Sequence, residues 1–480
     1  MSYIYSESWT EQQIFDVAEE LVGKKLRDLD KSGWLKKKKD KGNIGNMIQS
    51  DFFGIPANSI KGADFEHHHI ELKVTPILKK VKAGYSSKER LVLGMINYTE
   101  DYKIPFEESI VNKKAQNMLL VFYLHEENKP VEEFKIIKTA RFQLPKSDEA
   151  QVRLDYQTIV DNIQQGKAHE ISEKQQKIMG ACTKGQGKGK DWLDQPCSTE
   201  QAKSRAYSYK VGYMSAYFRN LMTPEQVEHI HIPPQKSFLD TVTETLDKYV
   251  GKTDEEIQFE SQKAVNGKSK IFNLIGFMFG TNGDNLNHTE EFLKEGYAIK
   301  TVRDRQDSTK NQDMSFPNID FTEIANDEFE ESTWYGWFGE TKYILTVWDE
   351  YEVGKNRFKD YTIWIPDDEL IEQASELYYQ IKNMLNSNSV RVEIDEIVGK
   401  HGRWSDNLPG GKADYPPFQI RPKGSGESVF VTLPNGLKIK KKALYINKEY
   451  IRKIVKLDQE ELQASDNNLK TTKLEIFLSI

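Results

Sequence analysis

Four short segments of this chain recur in the same order about 227 residues further on, and a chain with such a period folds as tandem like units. Ile48-Gln49-Ser50-Asp51-Phe52-Phe53-Gly54 returns as Ile275-Gly276-Phe277-Met278-Phe279-Gly280. Asp64-Phe65 followed by Glu71-Leu72-Lys73-Val74-Thr75 returns as Glu291-Phe292 followed by Ala298-Ile299-Lys300-Thr301-Val302, with the same seven-residue spacing. Phe106-Glu107-Glu108-Ser109 returns as Phe329-Glu330-Glu331-Ser332, and the apolar run 118–123 as 343–348. One short match would be noise; four in one order are not. At 480 residues the chain also exceeds what one ordinary core holds. Thr223-Pro224 and Pro233-Pro234 punctuate its middle, so the expected division is 1–230 and 231–480. Helical and strand patterns alternate irregularly in both halves. The expected class is therefore α/β (α+β), two tandem units that are each a mixed sheet flanked by helices.

The run 62–76 of the first copy carries the chemistry. Side chains alternate along a strand, so Glu71 and Lys73 project to one face while Leu72 points to the core. If Asp64 ends the neighbouring arm of a hairpin, its carboxylate reaches Glu71. Two carboxylates there suit Mg²⁺, which takes few protein ligands and keeps several waters. Such a metal polarises a scissile phosphate and acidifies a bound water, and an adjacent ammonium orients that water. The same letters also suit a solvent-facing strand of alternating charge. Their surroundings favour the nuclease reading: an apolar-striped helix ending at Gly54 before them, and the buried strand 118–123 behind them.

Helix, glycine, turn, Asp, Glu-x-Lys-x-Thr-Pro and then a buried strand: this order resembles the MutH branch of the restriction-endonuclease-like nucleases. The likeness is closest to the GATC-cutting type II restriction enzymes built from two MutH-like halves. The resemblance implies Mg²⁺-dependent hydrolysis of double-stranded DNA at GATC. Asp64 and Glu71 would be the metal ligands and Lys73 the cation that orients water or phosphate. The family's helix-borne glutamate falls on Gln49, or on Asp51 two residues on, and either is a departure from the pattern. Its additional lysine matches Lys114, with Lys113 as the alternative. In the second copy, Phe418-Gln419-Ile420-Arg421-Pro422-Lys423-Gly424 and the run through Lys440 and Lys441 resemble the family's DNA-recognition segment. Arg421 and Lys423 would enter the groove, and Lys440 and Lys441 would neutralise phosphates. Lys184 stands in the first copy where Lys423 stands in the second, with Thr183 in place of the proline.

The copies differ where the chemistry lies. Glu71 becomes Ala298 and Gln49 becomes Gly276, leaving Glu291 as the one acid of the second pattern. The expected outcome is a cutting first half and a catalytically dead second half that binds another DNA site as effector or anchor. One active site per chain must cut two strands, which implies a monomer that dimerises on DNA, or sequential nicking. A restriction enzyme also implies a cognate DNA methyltransferase in its host. Two rivals stand beside this reading: a strand-nicking mismatch-repair endonuclease, and a non-catalytic DNA-binding regulator in which Gln49 marks a dead first copy.

Composition narrows the class further. A formal net charge of −7 does not by itself suit DNA, but local clusters decide where phosphate binds. Such clusters are Lys36 to Lys39 with Lys41, Lys79-Lys80 with Lys82, Lys184 with Lys188 and Lys190, and Lys438 with Lys440 to Lys442. Only Cys182 and Cys197 are present, which points to two free thiols and a reducing cytoplasm. No window approaches the ~20 apolar residues of a membrane span, and the first residues lack the basic and apolar runs of a secretory signal. Adjacent His67, His68 and His69 cannot all face one ion, so a hairpin turn is expected there. Thr10-Glu11-Gln12-Gln13 should cap a first helix, residues 28–43 form a lysine-rich loop, and 236–265 form one amphipathic helix.

Overall fold

The computed structural model describes residues 3–37, 42–56, 62–80, 84–126, 129–185, 191–267, 269–283, 286–305, 312–395, 403–411, 416–424 and 429–455. Lys38, Lys39, Lys41, Lys82, Lys188 and Lys190 of the expected clusters lie outside them. The chain divides into two compact units. The first is Met1–Val227 with His288–Gly296, and the second Glu228–Asn287 with Tyr297–Ile480.

In the first unit, β1 (Glu71–Lys80), β2 (Gly84–Ser87), β3 (Leu91–Met95), β4 (Met118–Leu124) and β5 (Lys135–Phe142) precede the helix Lys146–Gln164. After it come β6 (Met179–Thr183), β7 (Trp192–Leu193), β8 (Ala202–Lys203) and β9 (Arg205–Tyr209). They make a mixed sheet of order β2-β1-β4-β5, an antiparallel sheet β3-β9-β6 and the ribbon β7-β8. β1 and β4 run parallel, and β5 returns antiparallel. β4 is a continuous apolar run because both its faces are covered. Met118, Leu120 and Phe122 enter the core that also holds Val152 and Ile159 of the long helix. Leu119, Val121 and Tyr123 enter a separate core with Ile14, Ala18, Phe52 and Phe65. The sheet lies between these cores, and the start of β1 is paired within it at Glu71 opposite Met118.

The N-terminal helix Glu11–Glu19 opens as expected: Thr10 Oγ1 accepts from the Gln13 amide, and the Gln13 side chain accepts from the Thr10 amide at 2.7 Å. The next helix, Asn43–Met47, widens into a π-turn over Ile48–Phe52. Gly54 then turns the chain at φ +70°, where an added Cβ would meet the Tyr3 carbonyl oxygen at 2.8 Å.

In the second unit, β10 (Tyr297–Arg305), β11 (Met314–Asn318), β12 (Lys342–Glu352) and β13 (Lys355–Trp364) precede the helix Asp368–Asn386. β14 (Val392–Asp395), β15 (Arg403–Asp406), β16 (Phe418–Pro422), β17 (Phe430–Thr432), β18 (Lys438–Lys440) and β19 (Lys442–Ile446) follow. The sheets are β10-β12-β13 and β11-β19-β16, with ribbons β14-β15 and β17-β18. This connectivity parallels the first unit. A parallel pair is extended by an antiparallel strand, then a long helix leads to a three-stranded antiparallel sheet whose last strand lies in the middle. Each long helix has 19 residues. Glu71 lies opposite Met118, and Ala298 lies opposite Tyr343, at matching places in the two registers.

Two local expectations need correction. Residues 236–265 form two helices, Phe238–Asp247 and Asp254–Ser261. Gly251 turns the chain at φ +88°, and the Thr253–Glu256 capping box restarts the helix beyond it. Glu291 is also no counterpart of Asp64 in structure. It lies in the helix Glu290–Glu295, which belongs to the first compact unit, whereas Asp64 lies in a turn. Equal spacing in sequence conceals this, because a helix and a turn fill the same seven residues. Among the described residues, no helix is long and apolar enough to cross a membrane.

Candidate active site

The hairpin that carries Asp64 is a single antiparallel bridge, Phe65 to Ile70, closed by a 3-10 turn over Glu66–His68. Its geometry folds Asp64 back over the start of β1, where Asp64 Oδ2 accepts from the Leu72 amide at 2.8 Å. Burial and then the neighbouring Glu71 charge raise the Asp64 pKa, against the opposing effects of the Leu72 amide, Lys73 and Lys114. Glu71 is 6% exposed, and its amide donates to the Asn117 carbonyl at 3.2 Å. Its Oε1 takes Lys73 Nζ at 2.8 Å and Lys114 Nζ at 2.6 Å. Two carboxylates and two ammonium groups thus meet at the start of β1.

Lys114 arrives by a different route from the other three. The sequence Phe106-Glu107-Glu108-Ser109 is a 3-10 turn ending in a helix cap. Ser109 Oγ donates to the Phe106 carbonyl at 2.6 Å and accepts from the Asn112 amide at 3.1 Å. The capped helix Ile110–Ala115 ends just before β4, opposite Glu71 in register. Lys113 is exposed, so of the two candidate lysines only Lys114 reaches Glu71. The second copy of the motif builds the same cap, with Ser332 accepting from the Tyr335 amide at 3.2 Å.

Gln49 lies in the π-turn, and its carbonyl accepts from the Ile55 amide. No hydrogen bond joins its side chain to Asp64 or Glu71 among the described residues. Asp51 is committed elsewhere: it accepts from the Lys31 amide, the Ser32 amide and Ser32 Oγ at 2.7–2.8 Å. Burial opposes its charge, but the Ser32 and Lys31 hydrogen bonds prevail and hold its pKa below the usual range. Asp51 therefore fastens the turn at residues 30–34 and stays away from Glu71. His68 Nε2 lies 2.5 Å from the Trp9 carbonyl, and His67 packs edge-on against it. No group of three or more His, Cys, Asp or Glu side chains suited to a metal occurs among the described residues. The carboxylate pair of Asp64 and Glu71 is what a divalent ion would meet. Their mutual repulsion fits that group, because a cation between them relieves it.

Asn117 is a positioning residue that no motif signals. Its carbonyl fixes the Glu71 amide, and its side chain takes Arg141 Nε at 3.0 Å and approaches Glu11 at 3.4 Å. These partners come from three distant segments, which leaves no local sequence signature. Cys182 is buried in β6 and Cys197 exposed, and both are free thiols.

Lys184 and Lys423 occupy the same backbone position. Each follows an edge strand of its antiparallel sheet, donating from its amide to Ser204 at 2.8 Å and to Lys441 at 2.9 Å respectively. Cys182 falls where Arg421 stands, since these residues pair with Ala206 and Ala443. β6 thus has a cysteine at the arginine's position, and the arginine at this sheet end is Arg205 of β9, which pairs with Thr183 and donates to the Ala181 carbonyl at 2.8 Å. Arg421 pairs with Asp313 at 2.9 Å and lies over the Tyr445 ring at 4.0 Å. Lys440 ends the ribbon strand opposite Phe430, and the Lys441 amide donates to Val429 at 2.6 Å.

Known proteins similar to this chain are nucleic-acid enzymes. Residues 53–155, which hold Asp64, Glu71, Lys73 and Lys114, match the family of the DNA mismatch repair enzyme MutH. The chain is 28% identical over 460 residues to the type II restriction enzyme Sau3AI of Staphylococcus aureus, covering 92% of this chain and 93% of that enzyme. It is 28% identical over 142 residues to the DNA mismatch repair protein MutH of Shewanella amazonensis, which spans 30% of this chain and 61% of that protein. The corresponding protein of Pasteurella multocida is 25% identical over 198 residues, or 38% of this chain and 87% of its own length. The chain is therefore similar to a type II restriction enzyme over nearly its whole length, and the segment 53–155 in its first half matches the MutH family.

Proposed function

We propose that this protein is a type II restriction endonuclease that hydrolyses double-stranded DNA with Mg²⁺, at GATC, in its first unit. The observation that carries the reading is the cluster of Asp64, Glu71, Lys73 and Lys114 at the start of β1, inside the segment that matches MutH. When bound by Asp64 and Glu71, the metal would supply Lewis-acid activation of the phosphate and a more acidic attacking water. The protein's own contribution is positional and electrostatic. Lys73 and Lys114 hold Glu71 in one rotamer and offer positive charge to the developing phosphorane oxygens. The Leu72 amide fixes Asp64 toward that same face. Gln49 stands in the family's glutamate position and would complete the wall of the site.

The second unit, with Ala298 where Glu71 stands, is read as the binding half, using Arg421, Lys423, Lys440 and Lys441, while Lys184 contacts DNA beside the cutting site. One cutting site per chain then calls for pairing of monomers on DNA. A host methyltransferase and a cytoplasmic location belong to the same reading. The test is digestion of a mapped unmethylated plasmid with Mg²⁺, followed by sequencing of the fragment ends. Ends at GATC are expected; breakage at unrelated sequences refutes the specificity. The relatives named for DNA mismatch repair support a second reading, a mismatch-repair endonuclease, which we would expect to nick only hemimethylated DNA. Linearisation of the unmethylated plasmid by the protein alone excludes it.

A further inference from the structure

The second unit has kept the lysine of the Glu-x-Lys pattern and lost the carboxylate that would neutralise it. In the first unit, Lys73 and Lys114 share Glu71 Oε1. In the second, Ala298 leaves only a methyl two residues before Lys300 on β10. Lys300 Nζ instead donates to the Ser315 carbonyl at 2.9 Å and lies 4.7 Å from the centre of the Phe316 ring. Lys423 Nζ donates to the next carbonyl, that of Phe316, at 2.7 Å. No acidic side chain pairs with either lysine among the described residues. The nearby Asp313 is engaged by Arg421. Burial and then the Lys423 charge push the Lys300 pKa down to about 8, and burial lowers that of Lys423. Trp337 and Phe338 pack against Phe316 at 5.2 and 5.1 Å, adding apolar surface around the pair.

Two partly buried ammonium groups held on adjacent carbonyls repel one another, and the carbonyl oxygens offset that only in part. A bound anion removes the repulsion and completes the hydrogen bonding of both. We propose that Lys300 and Lys423 form a metal-independent seat for one phosphate group, at the place in the second unit where the first unit has its metal-binding carboxylates. The occupant is a DNA phosphodiester or free phosphate. Only the choice of duplex DNA as a source rests on the nuclease reading.

The seat is tested on the full-length protein in EDTA, where nothing is cut and no metal draws phosphate to Asp64 and Glu71, whose two lysines are already paired with Glu71. Titration with inorganic phosphate is followed calorimetrically, and binding of a GATC duplex by fluorescence anisotropy. Lys300→Met or Lys423→Met is expected to weaken phosphate binding about tenfold or more, the usual scale for a charged hydrogen bond. If the duplex is the source, each change also lowers the salt dependence of duplex binding by about one unit of slope. Lys300→Arg is expected to keep binding. Ala298→Glu keeps both lysines yet should abolish the seat, because its carboxylate pairs with Lys300 as Glu71 pairs with Lys73. A response to phosphate alone assigns the seat to the free anion, and a response in both arms assigns it to DNA. No binding by the wild type in EDTA, or binding unchanged in Lys300→Met and Ala298→Glu, overturns the proposal. Mg²⁺-driven plasmid cutting is scored separately, so the seat and the nuclease reading can fail independently.

Discussion

At the scale of single residues, Glu71 is the hinge of the site, since both lysines converge on one of its oxygens. Lys73→Ala and Lys114→Ala are each expected to slow single-turnover cleavage by about 10²–10³-fold, the range for removing one preorganised charge or donor. Lys113→Ala should leave the rate unchanged, because that side chain faces solvent. Asp64 makes a sharper prediction. Its folded pKa is raised above the unfolded value of about 4, so its stabilising share is full below that pH and is lost as pH rises through the folded value. Ionising this carboxylate therefore strains the metal-free protein. Asp64→Asn still accepts from the Leu72 amide, so it should raise the metal-free melting temperature at pH 7 while abolishing cleavage. A lower melting temperature would refute this view of the acid pair. Asp64, Glu71 and Lys73 were legible in sequence because strand alternation and a short hairpin are local rules. Asn117 was not, since its three partners are brought together only by the folded sheet.

At the scale of elements, the repeated Phe-Glu-Glu-Ser segment shows that an echo in sequence can mark a structural device. In both units its serine caps the helical segment that leads into the second strand of the parallel pair. Ser109→Ala is expected to cost about 1 kcal/mol of stability, measured by denaturant unfolding, and to slow cleavage less than Lys114→Ala does. β4 was readable as a buried strand because its apolar run has no polar interruption. That its two faces feed separate cores was not readable, because the same letters serve either face. Leu120→Ala is expected to destabilise the protein by about 2–5 kcal/mol through the cavity it leaves. The matched seven-residue spacing misled at Glu291, where a capped helix replaces a turn. Spacing counts residues, but a helix advances about 1.5 Å per residue and a strand about 3.3 Å, so equal counts place side chains differently.

At the scale of the whole molecule, two units share one order of strands, yet the carboxylate at the start of the parallel pair survives in only one of them. The repeat in sequence foretold this parallel connectivity, because residues facing the same kinds of neighbours keep the same apolar letters. It did not reveal that His288–Gly296 joins the first compact unit, since chain order carries no information about such an excursion. Cutting should accordingly depend on the first unit alone, with the second contributing binding. The most direct test is Mg²⁺-driven cleavage of a plasmid by full-length Glu71→Ala, with duplex binding measured in parallel. Cleavage is expected to vanish while duplex binding persists. Cleavage at the wild-type rate would mean that the bond is broken somewhere other than at the Asp64–Glu71 pair.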